Sequence, residues 1–526
     1  MTRSTRFTVS SRARGYAPGR IGTALVFVAL ALALLPFADL GIAGHAPWAE
    51  LRRMVSGLMA PDFGALESLA RTAGLTVAFA LCGVALGAAC GFALAPLYRL
   101  GPVRLGCVAI RAVHELFWAI LLMQVTGLSA TTGILAIAIP YAGIFAKVFS
   151  EYLDEADPRP ARAMPPGAGV LSVFFYARLP LVLREFGTYA LYRLECALRS
   201  SAVLGFIGLP TLGFELDSFF RQGMYGAVAA VLIVYYAMIA SMRLWMRWRL
   251  APLYVLGSAA FLATLATPPM APGALWRFLT SDIVPAPLRG GELGDAATWQ
   301  RFAGWLGDLL WHQALPGLGA TMVVAQLALV VAGLVALLGF PLIVPRIAGR
   351  WGALAGHLGL VVGRSTPEYM LAYVMLQILG PSMLPAVIAL GLHNGAIIAH
   401  LVGRQSDHVT RDLRPDAPRG VDLYTWEVLP RIYGNFLALC LYRWEIIVRE
   451  SAILGLLGIS TLGFYIGTAI QEIRTDRAVV LLAVTVLVTV LIDLVSRRSR
   501  ARLGLSVRIR QSQDGAENET AAEDLG

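Results

Sequence analysis

Residues 191–214 read LYRLECALRSSAVLGFIGLPTLGF, and residues 441–464 read LYRWEIIVRESAILGLLGISTLGF. The two stretches lie 250 residues apart and are identical at 14 of 24 positions, which include charged residues and glycines as well as leucines. Shared apolar composition does not keep charges and glycines in register. The pattern therefore indicates a duplication, and we expect two pseudo-equivalent halves, an arrangement from which many transport proteins build a pathway.

The composition is typical of a membrane protein. Apolar residues make up 57% and charged residues 14% of the 526 residues, whereas about a quarter of an ordinary soluble chain is charged. A spanning helix needs about 20 mostly apolar residues. The sequence predicts two sets of six spans, near residues 21–38, 72–97, 105–125, 129–149, 186–208, 224–246, 253–269, 316–342, 353–378, 383–402, 436–458 and 477–495.

Arginine is unevenly distributed between the predicted loops. Residues 1–20 hold five arginines and no acidic residue. Further arginines follow the spans near residues 99–104, 243–249, 346–350 and 497–502. The long loops 39–71 and 270–315 instead mix charges of both signs. Because Lys and Arg near span ends favour the cytoplasmic side, we expect both termini to be cytoplasmic. The polar tail, residues 501–526, is expected to be disordered.

The sequence lacks the residues that several functional classes require. Lys147 is the only lysine, and no phosphate-binding loop for ATP surrounds it. No cysteine or histidine has metal-ligand spacing. The net charge of +10 belongs to the predicted loops and not to a soluble basic domain, which argues against nucleic-acid binding. We expect no cofactor, no metal and no ATPase activity in this chain.

Two long polar loops follow the fourth span of each predicted half. Residues 150–185 and 403–435 both end in a Leu-Pro dipeptide, and the two dipeptides are again 250 residues apart. If transport is driven by ATP, the nucleotide-binding subunit must be a separate polypeptide that docks on a cytoplasmic surface. These matched loops are the surfaces that the sequence offers.

The loops and the repeated stretch resemble the permease subunits of ATP-binding-cassette (ABC) importers. That family has a cytoplasmic coupling loop of the pattern Glu-Ala-Ala, three residues, Gly, nine residues, Ile, one residue, Leu-Pro. Ala163 and Gly167 keep this spacing, with Ala161 in place of the glutamate. The run Tyr-Arg-x-Glu-x3-Arg, at 192–199 and again at 442–449, is similar to the phosphonate-importer branch. The resemblance implies ATPase-docking residues Ala163, Gly167, Leu179, Pro180, Gly420, Leu429 and Pro430.

An ordinary member of that branch has one such half and pairs with a second copy, so this chain resembles two fused permeases. The implied fold is all-α and transmembrane, with two tandem six-helix type I importer permease halves at residues 1–250 and 251–500. The implied partners are a pair of cytoplasmic ABC ATPase subunits, an extracytoplasmic solute-binding protein and the lipid bilayer. The implied function is uptake of phosphonate, phosphate or phosphite across a bacterial inner membrane.

Charges inside the predicted spans are the candidate path residues. An ionisable group at membrane depth costs about 3 kcal/mol on insertion scales and faces a bundle interior or a wet cavity. Arg193 and Arg443 have no acidic partner on their own helix face, and guanidinium forks suit phosphorus oxyanions. The remaining candidates are four-residue Arg/Glu pairs, which either line the path or neutralise each other and lock helices together. They are Arg111 with Glu115, Arg364 with Glu368, Glu195 with Arg199, and Glu445 with Arg449.

Three other classes stay open. A secondary transporter with two parallel six-helix repeats also shows duplication and buried charges, but it does not require long matched cytoplasmic loops. An ABC permease for a different small solute fits the same pattern. A membrane-embedded enzyme needs a cluster of His, Asp, Glu or Cys near one membrane face, and neither copy has such a cluster in its sequence.

Overall fold

The computed structural model describes residues 18–505, except 43–45, 65, 166, 267, 269, 412 and 415. The tail beyond residue 505, which the sequence predicts to be disordered, and most of the arginine-rich residues 1–20 lie outside the described residues. Every regular element in the described part of the chain is a helix. The predicted all-helical membrane class is thereby confirmed.

The chain folds into 22 α-helices joined by short 3-10 and π-helical turns. Up to residue 250 they are α1 (Pro18–Leu34), α2 (Pro47–Leu58), α3 (Leu66–Leu94), α4 (Gly101–Ala112), α5 (Glu115–Thr126), α6 (Ala130–Glu155), α7 (Arg159–Arg162), α8 (Val170–Ser172), α9 (Leu179–Val203), α10 (Leu212–Arg221) and α11 (Tyr225–Trp245). From residue 251 they are α12 (Ala251–Leu262), α13 (Ala274–Arg277), α14 (Ala296–Leu309), α15 (Leu315–Gly339), α16 (Pro345–Ser365), α17 (Glu368–Leu379), α18 (Leu384–Arg411), α19 (Gly420–Asp422), α20 (Leu429–Ile453), α21 (Leu462–Gln471) and α22 (Thr475–Arg502).

Fewer helices cross a membrane by length and composition than the sequence predicts. Of the described residues, seven helices qualify as spans, or up to ten if each of three bent helix pairs counts as one span. This count does not show the predicted arrangement of twelve spans, which stays a prediction. The chain is a multi-pass membrane protein whose spans are interrupted at defined points.

Three of the predicted spans differ from the observed helices. Residues 105–125 form α4 and α5, which meet at 94°, because Val113 and His114 have extended backbone torsions. Residues 353–378 are divided between α16 and α17 at Pro367, which cannot continue the preceding helix. The helix predicted at 253–269 ends at Leu262, so α12 is too short to span the bilayer alone.

Glycines let the long central helices approach closely. Helix α3 packs along α6, and α15 packs along α18. A Cβ added at Gly87 of α3 would lie 2.9 Å from the Cβ of Tyr141, and one added at Gly395 of α18 would lie 2.6 Å from the Cβ of Val335. Small residues at such crossings favour helix association in membranes, since they allow extensive backbone contact.

The first helix of each half of the chain packs on the opposite half. Helix α1 lies on α15, where the Gln326 side-chain amide donates to the carbonyl of Phe27 over 2.9 Å. Helix α12 lies on α3, where the Phe261 ring reaches Gly74. The two halves are thus interleaved, and the interface between them contains the buried charges described next.

Candidate functional site

The two similar sequence stretches fold into the same series of elements. Helices α9 and α20 each run into one 3-10 turn, at Leu204–Ile207 and Leu454–Leu457, and then into the short helices α10 and α21. Each turn ends in a glycine with left-handed backbone, Gly208 at φ +99° and Gly458 at φ +91°. Glycine suits these positions because it has no Cβ to clash at positive φ.

The turns bend the chain sharply at matched positions. The bend is 48° between α9 and α10 and 46° between α20 and α21. Gly205 and Gly213 lie back to back, and any Cβ on Gly213 would collide with the carbonyl of Ala202. The start of α10 is fixed by Thr76, whose hydroxyl accepts the Leu212 N–H over 3.0 Å. Thr321 does the same for the start of α21, also over 3.0 Å.

Two arginines reach across the interface between the halves. Arg199 of α9 donates to the carbonyl oxygen of Arg364 over 2.9 Å. Arg449 of α20 donates to the carbonyl oxygen of Arg111 over 2.8 Å. Both carbonyls lie in the last turn of a helix that stops at a break, where backbone carbonyls have no partner within their own helix. We call these reciprocal bonds, Arg199 to Arg364 and Arg449 to Arg111, the crossed arginine contacts.

An acidic residue begins the helix on the far side of each break. Glu115 opens α5 and Glu368 opens α17, where a negative charge is favourable at a helix N-terminus. Ser200 donates a hydrogen bond from its hydroxyl to Glu115. The His114 ring, 3.5 Å from Glu115 and 3.9 Å from Glu368, lies between the two carboxylates. The two breaks therefore meet at one buried site.

The site is not symmetric between the halves. Glu450 occupies in the second stretch the position that Ser200 occupies in the first. The Asn394 amide donates to Glu450 over 2.8 Å, and His393 lies 3.7 Å from Glu368. The Nδ1 of His393 contacts the Thr366 carbonyl at 2.8 Å and is its donor, since a carbonyl only accepts. The second break thus has an additional acid and imidazole.

Glu368, His393 and Glu450 can place one ligand atom each within 4.8 Å of one another. In the part of the chain that the structure describes, no other group of His, Cys, Asp and Glu meets this condition. Two carboxylates and an imidazole suit a divalent transition metal. However, Arg443, Arg449 and Arg199 all interact electrostatically with Glu450, so the negative charge is already opposed. The absence of a resident metal, expected from the sequence, stays a prediction.

Two of the four predicted ion pairs, those that cross a helix break, are wrong. Arg111 and Glu115 are on different helices because the chain breaks between them, and Arg111 instead lies 3.9 Å from Asp493 of α22. Arg364 is likewise separated from Glu368 and lies 3.9 Å from Glu195. Glu195 and Arg199 share α9, and Glu445 and Arg449 share α20, and the members of each pair attract each other electrostatically without forming one of the described close ion pairs. Most of these charges connect helices and do not pair along one helix.

The two arginines predicted to be unpaired differ from each other. Arg193 donates to the Tyr189 hydroxyl over 2.8 Å and lies within 6 Å of the ring centres of Tyr141, Tyr189 and Tyr192. It is therefore held in an aromatic cage. Arg443 is half-buried and takes part in none of the described hydrogen bonds or ion pairs. Arg443 is therefore a cation of the site without a close polar partner among the described residues, and it interacts electrostatically with Glu450.

Six site residues were missed by the sequence reasoning. They are His114, Ser200, His393, Asn394, Glu450 and Asp493. The sequence does indicate Glu450, because this glutamate aligns with a serine when the two similar stretches are compared. Ser200 is the serine of that comparison, whereas the other four residues lie outside both stretches, and apolar periodicity does not report the helix breaks that bring them to the site.

The predicted ATPase-docking loops are shorter than expected. Helix α6 continues to Glu155 and α18 to Arg411, so loops 150–185 and 403–435 begin within helices. Leu179-Pro180 and Leu429-Pro430 open α9 and α20, where proline is tolerated in the first turn. The glycines Gly167 and Gly420 both have positive φ, and Ala163 is exposed just after α7.

Each loop presents large apolar side chains at matched positions. Tyr176 is 80% exposed, and Trp426, at the same place 250 residues later, is 78% exposed. Leu171 and Val421, again 250 residues apart, are 72% and 73% exposed. Exposed apolar residues grouped in this way are typical of a protein-binding surface.

The fold and site define a multi-pass helical membrane protein with a charged interface between its halves. No family model and no solved structure matches the chain. The phosphite transport system permease protein PtxC of Stutzerimonas stutzeri is 33% identical over 192 residues, which cover 34% of this chain and 70% of PtxC. The phosphate-import permease protein PhnE of Mycolicibacterium smegmatis is 26% identical over 418 residues, which cover 75% of this chain and 76% of that protein.

A third relative, PhnE2 of Escherichia coli, is named for a cryptic phosphonate transport system and is 30% identical over 101 residues, 19% of this chain and 83% of PhnE2. The chain belongs to the family of transport-system permeases that includes these proteins. The predicted resemblance to a permease is thereby confirmed. The chain is therefore a permease of a transport system.

The crossed arginine contacts generate a prediction about stability. Replacing Arg199 or Arg449 with Met removes a hydrogen bond from a charged group, a loss of about 1.5–3 kcal/mol. We expect the purified chain to unfold at a lower temperature in detergent. Arg301→Met is the control, since Arg301 is exposed and bonds only within its own helix. Equal melting temperatures for all three variants would contradict the cross-half role.

Proposed function

We propose that the chain is the membrane-spanning permease of an ATP-driven importer for a phosphorus oxyanion, namely phosphonate, phosphate or phosphite. The observation that carries this proposal is the similarity to PtxC, at 33% identity over 70% of its length. The names of the three relatives give the substrate class: phosphite, phosphate and phosphonate. The cation Arg443 is compatible with an anionic substrate, since guanidinium binds phosphorus oxyanions bidentately.

We infer further that two permease halves of the type I importer fold are fused in this chain, with residues 1–250 as the first and 251–500 as the second. The match to PtxC covers 34% of this chain but 70% of PtxC, so PtxC is about half as long. The match to PhnE of M. smegmatis covers similar shares of both chains, so these two are similar in length. One copy of this chain then replaces a pair of permeases.

The proposed path runs along the interface where the two helix breaks meet. Arg443 is the candidate for transient substrate contact, and Arg199 and Arg449 are the groups that alternate between holding the interface and releasing it. The other charges, Arg111, Glu115, Arg193, Glu195, Arg364, Glu368 and Glu445, position these arginines. High-affinity recognition then belongs to a separate solute-binding protein, so the permease requires only a weak, transient substrate site.

The proposed partners follow from the family. Two cytoplasmic ABC ATPase subunits dock on the two loops that carry Tyr176 and Trp426, and an extracytoplasmic solute-binding protein delivers the substrate. The chain resides in a bacterial inner membrane with both termini in the cytoplasm. The matched exposed apolar residues of the two loops support a pair of equivalent docking events.

A secondary transporter with parallel repeats is the alternative function. Co-purification of the tagged chain from its native membrane, followed by mass spectrometry and an ATPase assay in liposomes, separates the two. We expect an ABC ATPase in the complex, one copy of this chain per complex, and ATP hydrolysis that rises with a phosphonate-, phosphite- or phosphate-loaded binding protein. Uptake driven by an ion gradient without any ATPase would instead establish the secondary transporter.

The docking loops generate a second prediction. Changing Tyr176 and Trp426 to Ala together removes two exposed aromatic anchors, and we expect ATPase co-purification to fall at least tenfold, since such anchors contribute about 2 kcal/mol or more each at interfaces. Trp351→Ala is the matched control, because Trp351 of α16 is also 78% exposed but lies outside both loops. Unchanged ATPase recovery in the double variant would place docking elsewhere.

Arg443 generates a third prediction. Arg443→Gln removes this cation, and we expect the maximal uptake rate of radiolabelled substrate to fall about tenfold, the equivalent of one charge-assisted hydrogen bond. ATPase association stays unchanged. Arg474→Gln serves as the control, since Arg474 is exposed at the start of α22 and pairs only with nearby Glu472 at 3.5 Å. Normal uptake by Arg443→Gln would remove this residue from the path.

A further inference from the structure

A cavity of about 840 Å³ lies among α3, α9, the end of α11 and α12. Its walls include Leu81, Val84, Leu194, Val255 and Leu256, and Arg249 is the one charged residue on its lining. We propose that this cavity binds the acyl chains of an anionic phospholipid, with the lipid phosphate on Arg249. This inference does not depend on the substrate of the permease.

The corresponding place in the other half is filled by the protein itself. Helix α1 lies on α15 as α12 lies on α3. Trp444 stands 250 residues after Leu194, and its ring meets Phe27 of α1 edge-on at a centroid distance of 4.9 Å. The cavity therefore does not follow from the packing scheme of the fold. It arises because the first half has leucine where the second half has tryptophan.

A second pair of matched positions, on α3 and α15, also has the residue that attaches the neighbouring helix only in the second half. Thr76 of α3 and Thr321 of α15 are matched positions, since each accepts the backbone N–H that starts the following short helix. Five residues after these threonines, α3 has Leu81 and α15 has Gln326. Gln326 ties α15 to the backbone of α1 through Phe27. Leu81 has no hydrogen-bonding group and forms part of the cavity wall. Helix α12 therefore lacks the ring pair and the amide bond that attach α1, and instead the thiol of Cys82 of α3 donates to its backbone, at the carbonyl of Val255 over 3.9 Å.

The lining indicates the chemistry of the occupant. Apolar walls reject a hydrated oxyanion, since a polar group buried without partners loses several kcal/mol, and they accept hydrocarbon. The volume lies within the range of about 300–1,000 Å³ that holds ligands of several tens of atoms. An acyl chain in this cavity gains many packing contacts with the wall, which are individually small and collectively large.

Arg249 specifies the head group. It lies in the turn Trp248–Leu250 between α11 and α12, and a span end is at the level of the lipid head groups. Its side chain is exposed and takes part in none of the described hydrogen bonds or ion pairs. A free guanidinium at this depth attracts an anionic phosphate, and basic groups at span ends favour anionic lipids. The lipid then fixes the short helix α12 against α3.

The test uses the full-length chain in mild detergent and native mass spectrometry. Phosphatidylglycerol and phosphatidylcholine with identical acyl chains are added separately, and the lipid retained per chain is measured after delipidation. We expect the wild-type chain to retain phosphatidylglycerol about fivefold better, as one basic side chain near a head group provides. Equal retention of both lipids would overturn the head-group assignment.

Two variants locate the site. Leu194→Trp copies the filled crevice of the other half, and we expect it to lose the retained lipid, whereas Leu183→Trp, on the exposed face of the same helix, keeps it. Arg249→Gln is expected to lose the preference for phosphatidylglycerol, while the neighbouring exposed Arg247→Gln retains it. Undiminished lipid in Leu194→Trp, or equal loss in both arginine variants, would overturn the proposal.

Folding of the filled variant is checked independently. The melting temperature of Leu194→Trp without added lipid should equal or exceed that of the wild type, because the indole replaces the lipid in the cavity. Should this variant misfold, Val255→Phe fills the cavity from the α12 side. The proposal requires Val255→Phe to lose the lipid as well, and retention there would refute it.

Discussion

The structure depends on which groups donate hydrogen bonds to the backbone carbonyls where its helices break inside a membrane. A bilayer offers no water to free carbonyls, so each interruption of a span requires a partner from elsewhere in the protein. At the two breaks that partner is an arginine of the opposite half, Arg199 for the carbonyl of Arg364 and Arg449 for the carbonyl of Arg111. The breaks and the interface between the halves therefore stabilise each other, and neither arrangement is explained without the other.

The residues around the crossed arginine contacts differ between the two halves. The serine that satisfies Glu115 corresponds to Glu450, which joins Glu368 and His393 in a denser group of charges. Arg193 of the first stretch is enclosed by three tyrosines, whereas its counterpart Arg443 takes part in none of the described hydrogen bonds or ion pairs and interacts electrostatically with Glu450. In a symmetric pair of permeases both sides change together. The fusion that we propose permits one side to hold structure and the other to present charge.

The sequence predicts the helical class and the elements of the repeated stretch well, because apolar length and the pattern of glycines are local properties. It fails at Val113, His114 and Pro367, where two or three residues leave the helix inside an otherwise apolar run. A hydropathy average over about 20 residues does not resolve such breaks. The predicted pairing of Arg111 with Glu115 assumes a continuous helix. This wrong pairing therefore follows from the missed break at Val113 and His114.

The same geometry shows why a transport cycle can use these contacts. A bond from a guanidinium to a neutral carbonyl contributes about 1.5–3 kcal/mol, while separating a buried ion pair costs about 3–5 kcal/mol and leaves a charge uncompensated. Arg199 has Glu195 one turn away on α9, and Arg449 has Glu445 one turn away on α20. Each arginine can therefore release the opposite half and keep an acidic neighbour. The attraction along each helix, present here without a close ion pair, therefore offsets part of the cost of separating the halves.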